Sequence, residues 1–281
     1  MPFGLEYAQQ FFVRPGFGVT EVDPSSTPGE FSAEGLAADF AQYDGELADL
    51  QENLWANAAM DVPGTGSLLL VVQGMDTSGK GGLIKCLGRV IHPRGLKLTA
   101  FGKPTAEEAS QDFLERIRPA LPAPGEIAVF DRSHYEDVLV QKVERYAGAD
   151  EIERRYGAIR DFEEEVVGSG TRIIKIMLHI SREFQYKNLH ERLTKPKKYW
   201  KFDRADLTAR SKWEQYMSAY QIAMERTSTR RAPWYCIPGD NKAYARVVVK
   251  HLLVGTLREL RQGWPPLLVD PNEALQQLNQ S

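Results

Sequence analysis

Leu68-Leu-Leu-Val-Val-Gln-Gly-Met-Asp-Thr-Ser-Gly-Lys80-Gly-Gly-Leu-Ile-Lys85 decides the fold. The apolar run Leu68 to Val72 reads as a strand buried on both faces, and it stops at Gly74, where the chain can turn over the strand's carboxyl end. Gly74, four residues, Gly79 and Lys80 then satisfy the GxxxxGK pattern of a Walker A loop. In such a loop successive backbone N–H groups and a helix amino terminus face an anion, and the lysine adds a mobile positive charge. Gly74, Thr77, Ser78, Gly79, Gly81 and Gly82 are therefore the candidate phosphate-binding positions.

The pattern departs from the usual one just after the lysine. A Ser or Thr normally stands there and lends its hydroxyl to Mg²⁺, whereas this chain has Gly81. Asp76, inside the loop, is the nearest substitute, because a carboxylate is a hard oxygen ligand suited to Mg²⁺ or Mn²⁺. An acid in a phosphate cradle would otherwise repel its ligand, so Asp76 itself argues for a metal.

The chain has 281 residues, 42% of them hydrophobic, which suits one large domain or one domain with appendages. Its 35 basic and 38 acidic residues leave a net charge of −3, against a nucleic-acid coat or a membrane-surface protein. Cys86 and Cys236 fall in a predicted helix and strand, and a disulfide is not expected. Glu6 interrupts the amino terminus and no apolar span approaches twenty residues, so a cytoplasmic location is expected.

Residues 1–33 are rich in Pro and Gly without a sustained period and read as an arm, either loose or laid along its own or a neighbouring subunit. A helical stripe follows from Glu34 to Met60. Beyond the loop, helix and strand alternate: strands at Lys97 to Phe101, Ile127 to Asp131, Arg172 to Ile180 and Trp234 to Ile237. Between them lie predicted helices from Thr105, where Glu108 completes a capping box, to Pro119, and at 152–166, 181–193, 206–226 and 244–260. This alternation implies an α/β/α three-layer fold on a parallel sheet, with the ligand crevice at the strands' carboxyl ends. The domain spans 34–262, and the tail at 263–281 reads as polar and loose.

Phe130-Asp131-Arg132-Ser133-His134-Tyr135-Glu136-Asp137 is the second site. An acid directly after an apolar strand is where a Walker B aspartate sits, so Asp131 joins Asp76 as a metal ligand, and Arg132 offers a forked donor to phosphate oxygens. Glu136 and Asp137 are further binding candidates or simple partners of a helix dipole. His134 reads equally as structural or catalytic. The stretch 192–212 carries Arg192, Lys195, Lys197, Lys198, Lys201, Arg204, Arg210 and Lys212 with Tyr199 and Trp200, and looks like a basic helical lid that closes over the transferring group. Arg94, Lys97 and Lys103 flank the second strand. They either line a groove for a polyanion or are ordinary surface bases.

Together, Gly74-Met-Asp-Thr-Ser-Gly-Lys-Gly-Gly82, Lys103-Pro-Thr, the Phe130 to Asp137 stretch, Lys198-Tyr-Trp-Lys-Phe202, Ala232-Pro-Trp and Asp240-Asn-Lys242 resemble the polyphosphate kinase 2 family. The likeness runs from about residue 35 to 262, and the 132–137 variant looks like the subgroup using both nucleoside mono- and diphosphates. The resemblance implies a P-loop kinase fold and phosphoryl transfer from inorganic polyphosphate to ADP and AMP, with guanine nucleotides as further partners and a dimeric or tetrameric state. It also implies that Asp76, Lys80, Asp131, Arg132 and Arg192 are catalytic. Gly239 departs from the Ala expected before Asp-Asn-Lys. Two other readings compete: an ATP-dependent small-molecule or nucleotide kinase of the same fold, and a nucleotide-sensing module without turnover.

Overall fold

The computed structural model describes residues 5–29 and 32–281. Five strands, β1 (Ser67–Gln73), β2 (Leu96–Ala100), β3 (Ile127–Asp131), β4 (Thr171–His179) and β5 (Trp234–Pro238), form one sheet in the order β2-β3-β1-β4-β5. Every neighbouring pair is parallel. The reason lies in the apolar runs: β1, β3 and β5 are buried almost end to end, as strands covered on both faces must be.

The side-chain period of two splits those runs between two cores. Leu68, Leu70 and Val72 face α1 (Ala33–Ala59), α2 (Lys80–Leu87) and α7 (Lys242–Leu260). Leu69 and Val71 face α3 (Ala149–Gly168) and α6 (Trp213–Thr227). Between β4 and β5 the chain forms α4 (Arg182–Thr194), a 3₁₀ segment (Pro196–Lys201), α5 (Arg204–Ser211) and then α6.

The described part of the arm lies on its own subunit. Phe12 bridges Tyr235 antiparallel, and the Val13 N–H donates to the Trp234 carbonyl at 2.9 Å, so the arm covers the open edge of β5. Ala8, Phe11, Val13 and Val19 of the arm are buried.

Three sequence expectations are corrected. The capping box at Thr105 and Glu108 is present, but its helix runs only over Ala106–Ala109, and the chain reaches Pro119 through turns. The expected 206–226 helix is two helices, α5 and α6, broken at Lys212, whose ammonium is engaged by Glu144. The tail is not loose throughout: Pro271–Gln280 forms α8, capped by the Asp270 carboxylate, with Leu275 and Leu278 exposed on it. Both cysteines are free and buried.

Candidate active site

The phosphate loop leaves β1 at Gly74, whose φ of +145° and close neighbours fit only glycine. A Cβ there would lie 2.8 Å from the Leu178 carbonyl oxygen and 2.8 Å from Ser78 Oγ. Thr77 also has positive φ, +69°, which for a β-branched residue costs about 1–3 kcal/mol and persists only where the surroundings fix it. Those surroundings come from α4: Gln185 Nε2 donates to the Asp76 carbonyl at 3.2 Å, and Asn188 Nδ2 to the Thr77 carbonyl at 3.4 Å. Tyr220 of α6 accepts from the Gly74 N–H at 3.2 Å.

Gly79 caps α2 in the left-handed region, and Lys80, in the first turn, is buried. Its Nζ reaches back to the Gly74 carbonyl at 2.7 Å and the Met75 carbonyl at 3.3 Å, the lysine thus arching over the loop. Burial pulls its pKa below the ordinary lysine value, while Asp76 and, less strongly, Asp131 and Glu136 act in the opposite sense. Gly81 is exposed with open space where a side chain would be, whereas Gly82 packs close to the Arg246 guanidinium of α7.

Asp131 ends β3 beside Val72 of β1, which sets the second carboxylate next to the loop. Arg132 follows with φ +64°, its N–H donating to the Val72 carbonyl at 3.1 Å. That turn sends its guanidinium across the crevice to Asp76, Nη2 to Oδ1 at 2.8 Å, and within 3.6 Å of Glu136. Burial opposes the charge on Arg132, but Glu136 and Asp76 prevail and hold its pKa above the arginine norm. Burial raises the Glu136 carboxyl, with Arg132 and Lys80 resisting.

The lid stands over this group. Arg192 of α4 donates from Nη1 to Asp206 Oδ2 of α5 at 2.7 Å and to the Lys201 carbonyl at 2.8 Å. Burial and then the Asp76 charge push the Asp206 carboxyl up to about 6, against the pull of Arg192. The Lys201 ammonium lies 4.9 Å from the Trp200 ring centre, and Trp200 is exposed.

Asp76, Lys80, Asp131, Arg132 and Glu136 are thus brought together at the carboxyl ends of β1 and β3, with Arg192 and Lys201 in the lid. Lys103 follows β2 and is exposed at that same end of the sheet. Two expected residues lie elsewhere. Arg94 precedes β2, so in a parallel sheet it sits at the opposite edge from the crevice, its guanidinium over Trp55 at 5.7 Å. Asp137 turns away to Arg155 at 3.4 Å and Arg116 at 4.0 Å.

Sequence reasoning missed Gln185, Asn188, Tyr220, Asp206 and Arg246. The spacing of Gln185 and Asn188 places them on one face of α4, the only signal they carried. Gly239, the departure from the expected Ala, is sterically committed: a Cβ would lie 2.8 Å from Ile180 Cγ2 and 3.0 Å from the His179 carbonyl oxygen.

A strand-order 2-3-1-4-5 parallel sheet, a lysine-topped glycine loop after its central strand, facing carboxylates and a basic lid define a P-loop kinase-type phosphotransferase. The sequence profile of polyphosphate kinase 2 matches residues 37–262. The chain belongs to the polyphosphate kinase 2 family, whose members are polyphosphate:nucleotide phosphotransferases. It is 38% identical to the AMP/ADP-polyphosphate phosphotransferase of Meiothermus ruber over 92% of this chain and 95% of that one. It is 34% identical to the ADP-polyphosphate phosphotransferase of Rhodopseudomonas palustris over 93% and 91% of the two chains. The crystal structure of polyphosphate kinase 2 from Arthrobacter aurescens TC1 superposes with a TM-score of 0.94 at 45% identity, covering 98% of this chain and 96% of that one.

Proposed function

We propose that this enzyme transfers a phosphoryl group between inorganic polyphosphate and ADP, forming ATP, and also uses AMP, with Mg²⁺ as the working cation. The observation that carries the reading is the pairing of Asp76 with Arg132 beside Lys80, in a loop where Gly81 replaces the usual hydroxyl. The name of the Meiothermus ruber relative supports both acceptors.

Asp76 and Asp131 would hold the cation. Both act electrostatically on Lys80 and Arg132, so they face one space. Two carboxylates at the mouth of a phosphate loop leave the other positions of a cation to water and substrate. That suits Mg²⁺, which binds through one or two carboxylates and keeps waters and substrate phosphates as its other ligands; Mn²⁺ is the alternative. When bound, it neutralises charge on the phosphate oxygens.

The chain's own residues do the rest by position and charge. Backbone N–H groups at 77–82 cradle phosphate, Lys80 and Arg132 neutralise the migrating group, and Arg192 adds its free guanidinium face from the lid. Lys103 and Lys201 extend the cationic path for a chain carrying about one charge per phosphate. Among the described residues no helix is long and apolar enough to cross a membrane. We take the enzyme to be cytoplasmic and homo-oligomeric, and its net charge of −3 speaks against a nucleic-acid partner.

Incubating the enzyme with ADP, Mg²⁺ and polyphosphate, with a control lacking polyphosphate, tests the reading. ATP should exceed that formed by disproportionation of ADP alone, and ATP equal to the control would return the enzyme to the ATP-dependent kinases. Replacing ADP by AMP should yield ADP first.

A further inference from the structure

The turn that carries Arg132 runs straight into a buried polar network. Ser133 Oγ accepts from the Tyr135 N–H at 3.1 Å and from Gln73 Nε2 at 3.2 Å, and Gln73 is the last residue of β1 before the phosphate loop. The Tyr135 hydroxyl, fully buried, lies 2.8 Å from Glu163 Oε1 of α3 and 2.9 Å from Thr227 Oγ1 of α6. Lys175 of β4 donates to that hydroxyl at 3.0 Å, to Glu163 Oε2 at 2.5 Å and to the Thr227 carbonyl at 2.8 Å. Trp234 Nε1 of β5 donates to Thr227 Oγ1 at 2.9 Å, and His134 Nε2 stands 3.4 Å from Glu163 Oε1. One phenol thereby ties the turn to β4, β5, α3 and α6.

A left-handed arginine survives only where its surroundings over-determine it. Val72 holds the N–H of Arg132, while among the described residues only Asp76 and Glu136 pair with the far end of its side chain. The remaining restraint is the chain that follows, and within three residues it is fixed by the hydroxyl of Tyr135. A lysine–glutamate pair in a core is poor evidence of stability in its own right, since apolar replacements often serve as well. A role in fixing geometry accounts for its position here.

We propose that Tyr135, through its bonds to Glu163, Lys175 and Thr227, is a positioning residue that holds Arg132 in the conformation from which it meets the transferring phosphoryl group. His134 belongs to the same network through Glu163.

A double-mutant cycle on polyphosphate-driven ATP formation, read by luminescence, tests this. Tyr135→Phe keeps the ring against Trp234 and removes only the hydroxyl. In the native background it should lower kcat about tenfold, and in the Arg132→Ala background, where no guanidinium remains to be positioned, it should change kcat by less than about twofold. An equal loss in both backgrounds would make Tyr135 a general structural residue and overturn the proposal, as would an unchanged kcat in the native background. Thr227→Val, which removes the hydroxyl at the far end of the network, is measured in the same cycle. If Tyr135→Phe does not fold, the Thr227→Val cycle decides the matter by the same two outcomes.

Discussion

Arg192 and Asp206 join the two arms of the lid, guanidinium Nη1 to carboxylate Oδ2 at 2.7 Å, above a loop whose Asp76 is close enough to raise the Asp206 carboxyl. One guanidinium nitrogen is spent on holding the lid arms together, and the remaining donors are available to phosphate. Arg192→Lys keeps the charge but loses the fork. Turnover should fall by roughly 10²-fold, the scale for removing one preorganised donor. Wild-type turnover in that variant at saturating polyphosphate would take Arg192 out of the chemistry.

Lys80 arches over the loop with its ammonium on two carbonyl oxygens, so it is in place before any phosphate arrives. Lys80→Ala should reduce kcat by roughly 10²–10³-fold. Since burial already disfavours its charge, the loss should appear in turnover with little change in the melting temperature. A variant that melts normally and turns over normally would refute the assignment.

Asp131 and Asp76 play unequal parts in the resting site. Asp76 is tied to Arg132, whereas the Asp131 carboxylate has no hydrogen bond or ion pair among the described residues. Asp131→Asn should therefore weaken cation binding without releasing Arg132, and raised Mg²⁺ should partly restore activity. Asp76→Asn, which also unseats the arginine, should recover less. Titrating Mg²⁺ for both variants checks this, and an unaltered Mg²⁺ dependence in Asp131→Asn would exclude that residue as a ligand.

Sheet, strand ends and phosphate loop were legible because each rests on local pattern: an apolar run for β1, a glycine spacing for the loop, an acid after Phe130. The break at Lys212 was not, since no Pro or Gly marks it in the sequence. Arg94 was left open between a groove residue and an ordinary surface base. Its place was in fact legible: Arg94 precedes the strand, and in a parallel sheet only residues after a strand reach the crevice at the carboxyl ends. Gln185, Asn188 and Asp206 escaped notice because they act on the loop and lid through tertiary contacts that helix periodicity cannot reveal. That the arm lies along its own subunit was one of three open options, and tertiary contacts of Phe12 and Val13 with β5, which no local pattern announces, decide it.

Two glycines of the loop should respond oppositely to a methyl group. Gly74→Ala forces a Cβ against the Leu178 carbonyl and Ser78 at a backbone conformation alanine avoids, so stability should drop by several kcal/mol and activity should vanish. Gly81→Ala meets open space in the first turn of α2. There the alanine should stabilise by up to about 1 kcal/mol, from helix propensity alone. Thermal melts of the two variants decide the point, and similar losses would mean the loop is packed differently at Gly81.

Asp137 offers a pH signature separate from catalysis. Buried between Arg155 and Arg116, its carboxyl is raised by burial from the usual aspartate range to about 6, with both arginines resisting. Because the folded-state value lies above the unfolded one, the folded protein binds this proton more tightly. The stability that the proton brings is complete below about pH 4 and is lost as the pH rises through about 6. A shift of about two units corresponds to about 3 kcal/mol at most. Asp137→Asn cannot titrate, so relative to the wild type it should gain stability between pH 4 and pH 7, by up to that amount. Denaturant unfolding of both proteins at pH 4.5 and pH 7 measures the difference, and a gap that stays constant or moves the other way would show that Asp137 remains ionised across the range.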